Sequence, residues 1–406
     1  MRNMFTKMRN KMKLCCLIML TWLCPLSGIY AQKTKYKKPP GTIINHSPAS
    51  SGKYIGSPSI CIRNNGDYIA SHDFFGPGAV ERKLGVTTVF KSTNKGKTWQ
   101  RICVIQGQFW SNLFEYDDVL YLLGTDREYG NFIIRRSIDG GYHWTEPKDE
   151  NTGLLFAGEY HTAPMPVIIH NRHLWRAVEE IDGKERKWGK MFMSSMFSAD
   201  VSENLMKAST WRKTNNLPYD ASYLGGEFAA WLEGNAILDK QGKLVNLLRV
   251  STSIKGVEKA AIVNISDDGL TANFDENKDF IDFPGGSKKF TIRYDGTTNL
   301  YWTLSNIITP ELMDVKETGK IRNTIALCSS DDLRNWRVHK YILHHPDMDK
   351  HGFQYIDWQF EGEKNIVFVS RTAFDDAHGG VHRQHDANYL TFHRIKNFRK
   401  HRNHNK

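Results

Sequence analysis

Apolar and polar positions along the chain fall into pairs of short β-rich runs, each pair split by a polar turn. Six such pairs can be read: SICIRNNGDYIAS, LFEYDDVLYLLG, VIIHNRHLWRAV, AILDKQGKLVNLLRV, FTIRYDGTTNLYWTL and WQFEGEKNIVFVS. Each predicts a β-hairpin. Runs of helical period are absent from the pattern, so the expected class is all-β.

A second regularity follows the hairpins. Ser92 to Trp99 reads STNKGKTW and Ser137 to Trp144 reads SIDGGYHW. Ser329 to Trp336 reads SSDDLRNW at the same spacing, with Leu333 in the place of a glycine. Degenerate copies begin at Ser198, its tryptophan delayed to Trp211, and at Ser266. The starts lie 45, 61, 68 and 63 residues apart, which marks a repeat protein. The spacing has a physical sense: a serine and an acid two apart can bond back to turn amides, glycine supplies the bend and tryptophan folds beneath the turn. The motif resembles the Asp-box of sialidase-like propellers. It speaks for fold and not for function. The six hairpins count six blades of one β-propeller over residues 44–398; a pair of β-sandwiches leaves the boxes unexplained.

The ends read differently. Residues 1–31 carry five Lys/Arg and no acid, then the apolar run LCCLIMLTWLCPL, then SGIYA. That is the layout of a secretory signal peptide cut after Ala31, which implies export to the periplasm. The alternative is an outer-membrane lipoprotein anchored through Cys24. No later stretch is apolar enough to span a bilayer. Residues 32–43 form a basic segment and 399–406 a basic tail. Removing the leader lowers the formal charge from +11 to about +6, a balance that favours an acidic glycan as partner. Lysine and arginine are not interleaved with aromatics through the middle, which argues against nucleic acid. Cys61, Cys103 and Cys328 remain, an odd and widely spaced set that forms neither a disulfide framework nor a zinc ribbon. A monomer is expected.

Four segments concentrate polar and aromatic groups near predicted strand ends, where propeller loops converge. In NHSPASSGKYIGSP, His46 is a candidate acid, base or nucleophile, with Lys53 and Tyr54 close behind. The plain alternative is a histidine capping a chain-closing strand. In SHDFFGPG, His72 and Asp73 adjoin a Gly-Pro-Gly turn and read equally as ligand contact or structural loop. In GEYHTAPMP, Tyr160 and His161 are a candidate acid–base pair, with Arg176 or Arg249 to neutralise a carboxylate. Alternation along a strand would send the two side chains to opposite faces, which counts against that pair. The last segment runs from HGFQYIDWQF through SRTAFDDAHGGVHRQHDANY and holds His378, His382, His385 and Asp386. Metal ligation is one reading, a hydrogen-bonded loop or ligand contact the other, since no metal motif is present. No cofactor is required, and a divalent cation of structural role is the one addition considered.

A sialidase needs an arginine triad for the sialate carboxylate and a Tyr/Glu nucleophile pair. Its first arginine usually sits in a YRIP-like stretch, which this sequence lacks. Arg249 and Arg371 are two possible arms without a first.

Taken together, NHSPASSGKYIGSP, GEYHTAPMP, WLEGNAILDKQGKLVNLLRVSTS and HGFQYIDWQF…SRTAFDD…HDANYLTFHRIKNFR resemble glycoside hydrolase family 145 over nearly the whole exported chain. These are α-L-rhamnosidases acting on rhamnose α-1,4-linked to glucuronic acid; rhamnose–glucuronate lyases and ulvan lyases are related propellers. The resemblance implies seven blades where the hairpins count six. It also implies one catalytic histidine in place of the usual carboxylate pair, at the position matched by His46, and a site on the face opposite the usual one. The implied activity is exo-release of rhamnose from plant arabinogalactan-type glycans. Two alternatives stand beside it: a lyase using Tyr160, His161 and Arg249, and a non-catalytic or sialidase-like glycan-binding propeller.

Overall fold

The computed structural model describes residues 38–314 and 317–402. The expected leader, with Cys24, and the last residues of the basic tail lie outside the described residues. Among the described residues there is no α-helix, only short 3-10 turns between strands. No helix among them is long and apolar enough to cross a membrane.

The strands form six antiparallel sheets. Each of the six hairpins read from the sequence supplies the two inner strands of one sheet. Blade 4 is an example: Phe228–Leu238 pairs Leu244–Thr252, which pairs Lys259–Ile265 and then Ala272–Asn273. Blade 6 is built from both chain ends. Gly352–Glu361, Asn365–Ala373 and Tyr389–Ile395 come from the C-terminal part, and Thr42–His46 pairs Tyr389–Ile395 as the outermost strand. This closure corrects the seven blades implied by the family resemblance. The fourth place in blade 6 is filled by the first strand, and no described segment is left over for another sheet.

The blades are laced together by polar groups of their inner strands as well as by apolar packing. Asp357 of blade 6 accepts from Ser59 Oγ (2.8 Å) and the Ile60 amide (2.9 Å) of blade 1. Arg176 of blade 3 donates to Asn112 of blade 2 at 3.0 Å. Asn235 of blade 4 accepts from the Ile292 amide of blade 5 at 2.9 Å. Lys289 of blade 5 donates to the Ile356 carbonyl of blade 6 at 2.7 Å. Buried amides and charges tolerate this place because each has a partner. Apolar clusters fill the wedges between blades, with Trp231, Trp302 and Trp358 fully buried.

The Asp-boxes sit in the turns after the third strands of blades 1 to 5. In the best copy, Ser137 Oγ donates to Asp139 (2.8 Å) and accepts from the Gly141 amide (2.9 Å), and Trp144 Nε1 donates to the Gly141 carbonyl (2.9 Å). The third copy is shifted by one residue from the expected frame. Ser330 and Asp332, not Ser329 and Asp331, make the turn, while Trp336 still donates to the Leu333 carbonyl. Leu333 takes the left-handed conformation (φ 65°) that glycine would have taken. The three described cysteines are free thiols.

Candidate functional site

The start of each inner strand lies beside the end of the second strand, as where Phe109 pairs Thr125. At this end of the ring, away from the Asp-boxes, a cleft of about 1050 Å3 draws its wall from all six blades.

Three inner strands break register as they enter the cleft. The irregularities lie at Phe109/Asn112 in blade 2, Leu232/Asn235 in blade 4 and Gln354/Asp357 in blade 6. Each carries one non-glycine residue in left-handed backbone: Trp110 (φ 46°), Glu233 (φ 57°) and Tyr355 (φ 52°). Such conformations cost about 1–3 kcal/mol each and persist where surrounding structure holds them. A bulge re-aims a side chain that regular alternation would send elsewhere. All three residues line the cleft.

Glu233 is nearly fully buried, its amide donating to Glu179 Oε1 (2.8 Å) and its Oε2 accepting from Arg249 Nη1 (2.8 Å). Burial acts to raise its carboxyl, but Arg249 and then His161 outweigh that, and the net position is below the ordinary carboxylate range. Glu233 is therefore an anion, and its charge acts on the Tyr355 phenol that lines the same cleft. Burial and the Glu233 charge raise the phenol, opposed by Arg249, Arg322 and Arg371. The net rise keeps it protonated.

Those three arginines come from blades 4, 5 and 6. Arg322 is held by the Gly319 carbonyl (2.9 Å) and Gln354 Oε1 (2.8 Å). Arg371 lies with its guanidinium carbon 4.4 Å from the centre of the Phe75 ring and 5.0 Å from that of Tyr355. Burial lowers its pKa to about 10. The Nε atoms of Arg249 and Arg371 are buried without a hydrogen-bond partner. Unmet donors on buried cations are costly, and an anion entering the cleft would satisfy them.

Asp73 closes the set from blade 1. It is 2% exposed and accepts from the Ser57 amide and the Trp110 amide, each at 2.7 Å. Burial pushes its carboxyl up to about 7 against the pull of those amides and of Arg371. Gly56 makes this approach possible, since a Cβ there would stand 1.7 Å from Asp73 Oδ1.

Of the residues singled out from sequence, Asp73, His161, Arg249 and Arg371 line the cleft. His161 Nδ1 bonds Glu179 Oε2 at 2.8 Å, so Glu179 holds both the histidine and the Glu233 backbone. Tyr160, the preceding residue, points the other way into an apolar cluster with Phe132 and Phe197. Arg176 is fully buried and used up by Asn112, Thr162, Ala163 and Ala177. His72 is buried against Phe74 and Phe90 and bonds Asn45 at 2.8 Å; burial lowers its pKa to about 4. Tyr54 is buried edge-on to Phe75, and Lys53 is exposed. His46 ends the outermost strand of blade 6, stacked on Tyr389 at 4.3 Å and bonded to Asp376 at 3.1 Å; it is not part of the cleft wall. In the last segment, His385 lines the cleft, and among the described residues no three His, Cys, Asp or Glu are grouped to hold a metal ion. Glu233, Tyr355 and Arg322 were not anticipated. The first two lay inside quoted segments, and only the glycine after Glu233, interrupting a strand pattern, hinted at a bulge.

No family model matches the sequence, and no curated protein matches it. Solved structures share its fold. A protein of unknown function from Dyadobacter fermentans is 13% identical, with a TM-score of 0.58 over 87% of this chain and 97% of that one. A Hadza microbial sialidase is 14% identical, with a TM-score of 0.57 over 88% of this chain and 68% of that one. An α-L-arabinofuranosidase from Fusarium graminearum is 10% identical, with a TM-score of 0.56 over 88% of this chain and 97% of that one. At these identities the likeness shows a shared six-bladed propeller.

Proposed function

We propose that the protein is a retaining exo-glycosidase of sialidase type that releases a terminal sugar acid from a glycan. The observation carrying this reading is the convergence of Tyr355, Glu233 and three arginines in one cleft, with Asp73 opposite as a proton donor. The substrate carboxylate pairs with Arg249, Arg322 and Arg371. Tyr355 Oη attacks the anomeric carbon as the bond to the aglycone oxygen breaks. Glu233 takes the phenol proton, and Asp73 gives its proton to the leaving oxygen. Water then attacks the anomeric carbon from the vacated side, losing a proton to Asp73, while Tyr355 departs and recovers its own from Glu233. A phenol suits this task because a carboxylate nucleophile would be repelled by the substrate's own carboxylate.

Fluorophore release from the 4-methylumbelliferyl ketoside of N-acetylneuraminic acid tests the reading. The wild type should turn over with retention, and Tyr355→Phe should lose at least about 10³-fold in kcat. Undiminished activity in that variant, or none in the wild type, counts against it.

A second reading takes the chain as a rhamnosidase on rhamnosyl-α-1,4-glucuronate, with His46 acting at the rhamnose C1 and the uronate carboxylate shuttling the leaving-group proton. The orientation of His46 by Asp376 favours it. Digestion of a rhamnose-capped arabinogalactan separates the cases: free rhamnose lost in His46→Gln supports the rhamnosidase. An ultraviolet-absorbing enuronate marks a lyase, and no product leaves a binding propeller. Both readings include export by the basic and apolar leader, an acidic glycan as partner, and a monomer.

A further inference from the structure

Beside the cleft lies a second cavity of about 970 Å3. The two share Trp188, Glu317, Gly319, Lys320, Arg322 and His385 and form one continuous depression. The cleft alone is large for a single small ligand, and the arginines occupy only one part of it.

Trp188 stands where the two cavities meet. It is 49% exposed, and it is the one tryptophan among the described residues left in that state. It sits in the loop joining His173–Glu180 to Met193–Asp200, edge-on to Phe192 with ring centres 5.8 Å apart. The loop is held in place. Gly189 takes φ +87° so close to blade 4 that a Cβ there would stand 2.7 Å from the Ala229 carbonyl, and the Met191 amide donates to the Lys187 carbonyl at 3.1 Å. An indole fixed at a rim without apolar cover offers a flat face. The rest of the groove's lining is rich in polar side chains, among them Asp349, His382 and Arg383. One apolar plane beside several hydrogen-bonding groups matches a sugar ring, whose faces are apolar and whose edge carries hydroxyls.

We propose that this groove is an aglycone subsite that takes the neutral oligosaccharide bearing the terminal sugar acid, with Trp188 stacked on one of its rings. Its direction rests on the catalytic reading above; the binding surface does not.

The test has two arms. In the first, kcat/KM is measured for the sugar acid on 4-methylumbelliferone and for the same sugar acid on lacto-N-neotetraose. Trp188→Ala should lower the oligosaccharide-to-aryl ratio about tenfold, and Trp188→Tyr should restore most of it. In the second, lacto-N-neotetraose alone is titrated by calorimetry, with no bond cleaved. Binding by the wild type that weakens about tenfold in Trp188→Ala, in a variant whose thermal midpoint is retained, supports the subsite. If neither glycoside is cleaved yet binding still depends on Trp188, the groove stands and the catalytic reading falls. Absence of tetrasaccharide binding, or binding and ratio both indifferent to Trp188, overturns the proposal.

Discussion

Replacing Asp73 by Asn should change stability in opposite senses at low and high pH. The wild-type carboxyl is raised from 3.8 to about 7 by burial, so the fold resists its ionisation. For a group raised in this way, the stability present below the unfolded pKa is lost as pH climbs to the folded pKa and is gone above it. Between pH 5 and the folded pKa of about 7, two pH units at about 1.36 kcal/mol each remove about 2.7 kcal/mol from the wild type. The amide does not titrate and escapes this loss. It also has one acceptor oxygen for the two amides of Ser57 and Trp110, which costs about 1–3 kcal/mol at every pH. Urea unfolding of both proteins at pH 5 and pH 8 reads the difference. The variant should gain on the wild type by about 2–3 kcal/mol between those conditions, while losing glycosidase activity at both. A gap between the two proteins that does not move with pH would show that Asp73 is ionised in the fold and is no acid for the leaving group.

Other substitutions probe the remaining parts. Arg371→Ala should raise KM for a carboxylate-bearing substrate about 10- to 100-fold, measured by initial rates, while the corresponding methyl ester loses far less. Gly56→Ala should cut kcat by at least about 10²-fold, because its new methyl group displaces the Asp73 carboxylate. Arg176→Met should lower the thermal midpoint, since it strands acceptors on Asn112, Thr162 and Ala163 at about 1–3 kcal/mol each. The KM of the protein that remains folded should stay within about twofold, separating Arg176 from Arg249.

The ring of blades was legible because each blade repeats a local signal. Hairpin turns and Asp-boxes are set by residues a few places apart, and a repeat multiplies that evidence. Where the signal misled, the local chemistry had an alternative. SSDDLRNW offers two serines and two acids, and the fold uses Ser330 with Asp332 by placing Leu333 in left-handed backbone. Blade 6 was harder, since its fourth strand lies over 340 residues from its third, as Thr42 facing Phe392 shows. A count from hairpins reached six without knowing how the ring closed.

The site was legible only in fragments, because its geometry depends on breaks in the regularity that made the fold readable. Glu233 and Tyr355 lie in strands, and alternation alone would not send them into the cleft; bulges and left-handed backbone do that. The same alternation correctly separated Tyr160 from His161. The arginines show why a missing motif is weak evidence about chemistry. The stretch that follows Lys53 reads Tyr54, Ile55, Gly56, Ser57, with no arginine, and glycine is required there by the carboxylate of Asp73. The missing arm is supplied by Arg322 of blade 5. Arg371, read from the sequence as one of the other two, reaches the cleft from blade 6 between the rings of Phe75 and Tyr355. What an anionic sugar recognises is the position of the charges and not the strand that delivers them. A guanidinium arriving from another blade meets the same carboxylate, provided its donors are unspent, and the free Nε of Arg371 meets that condition.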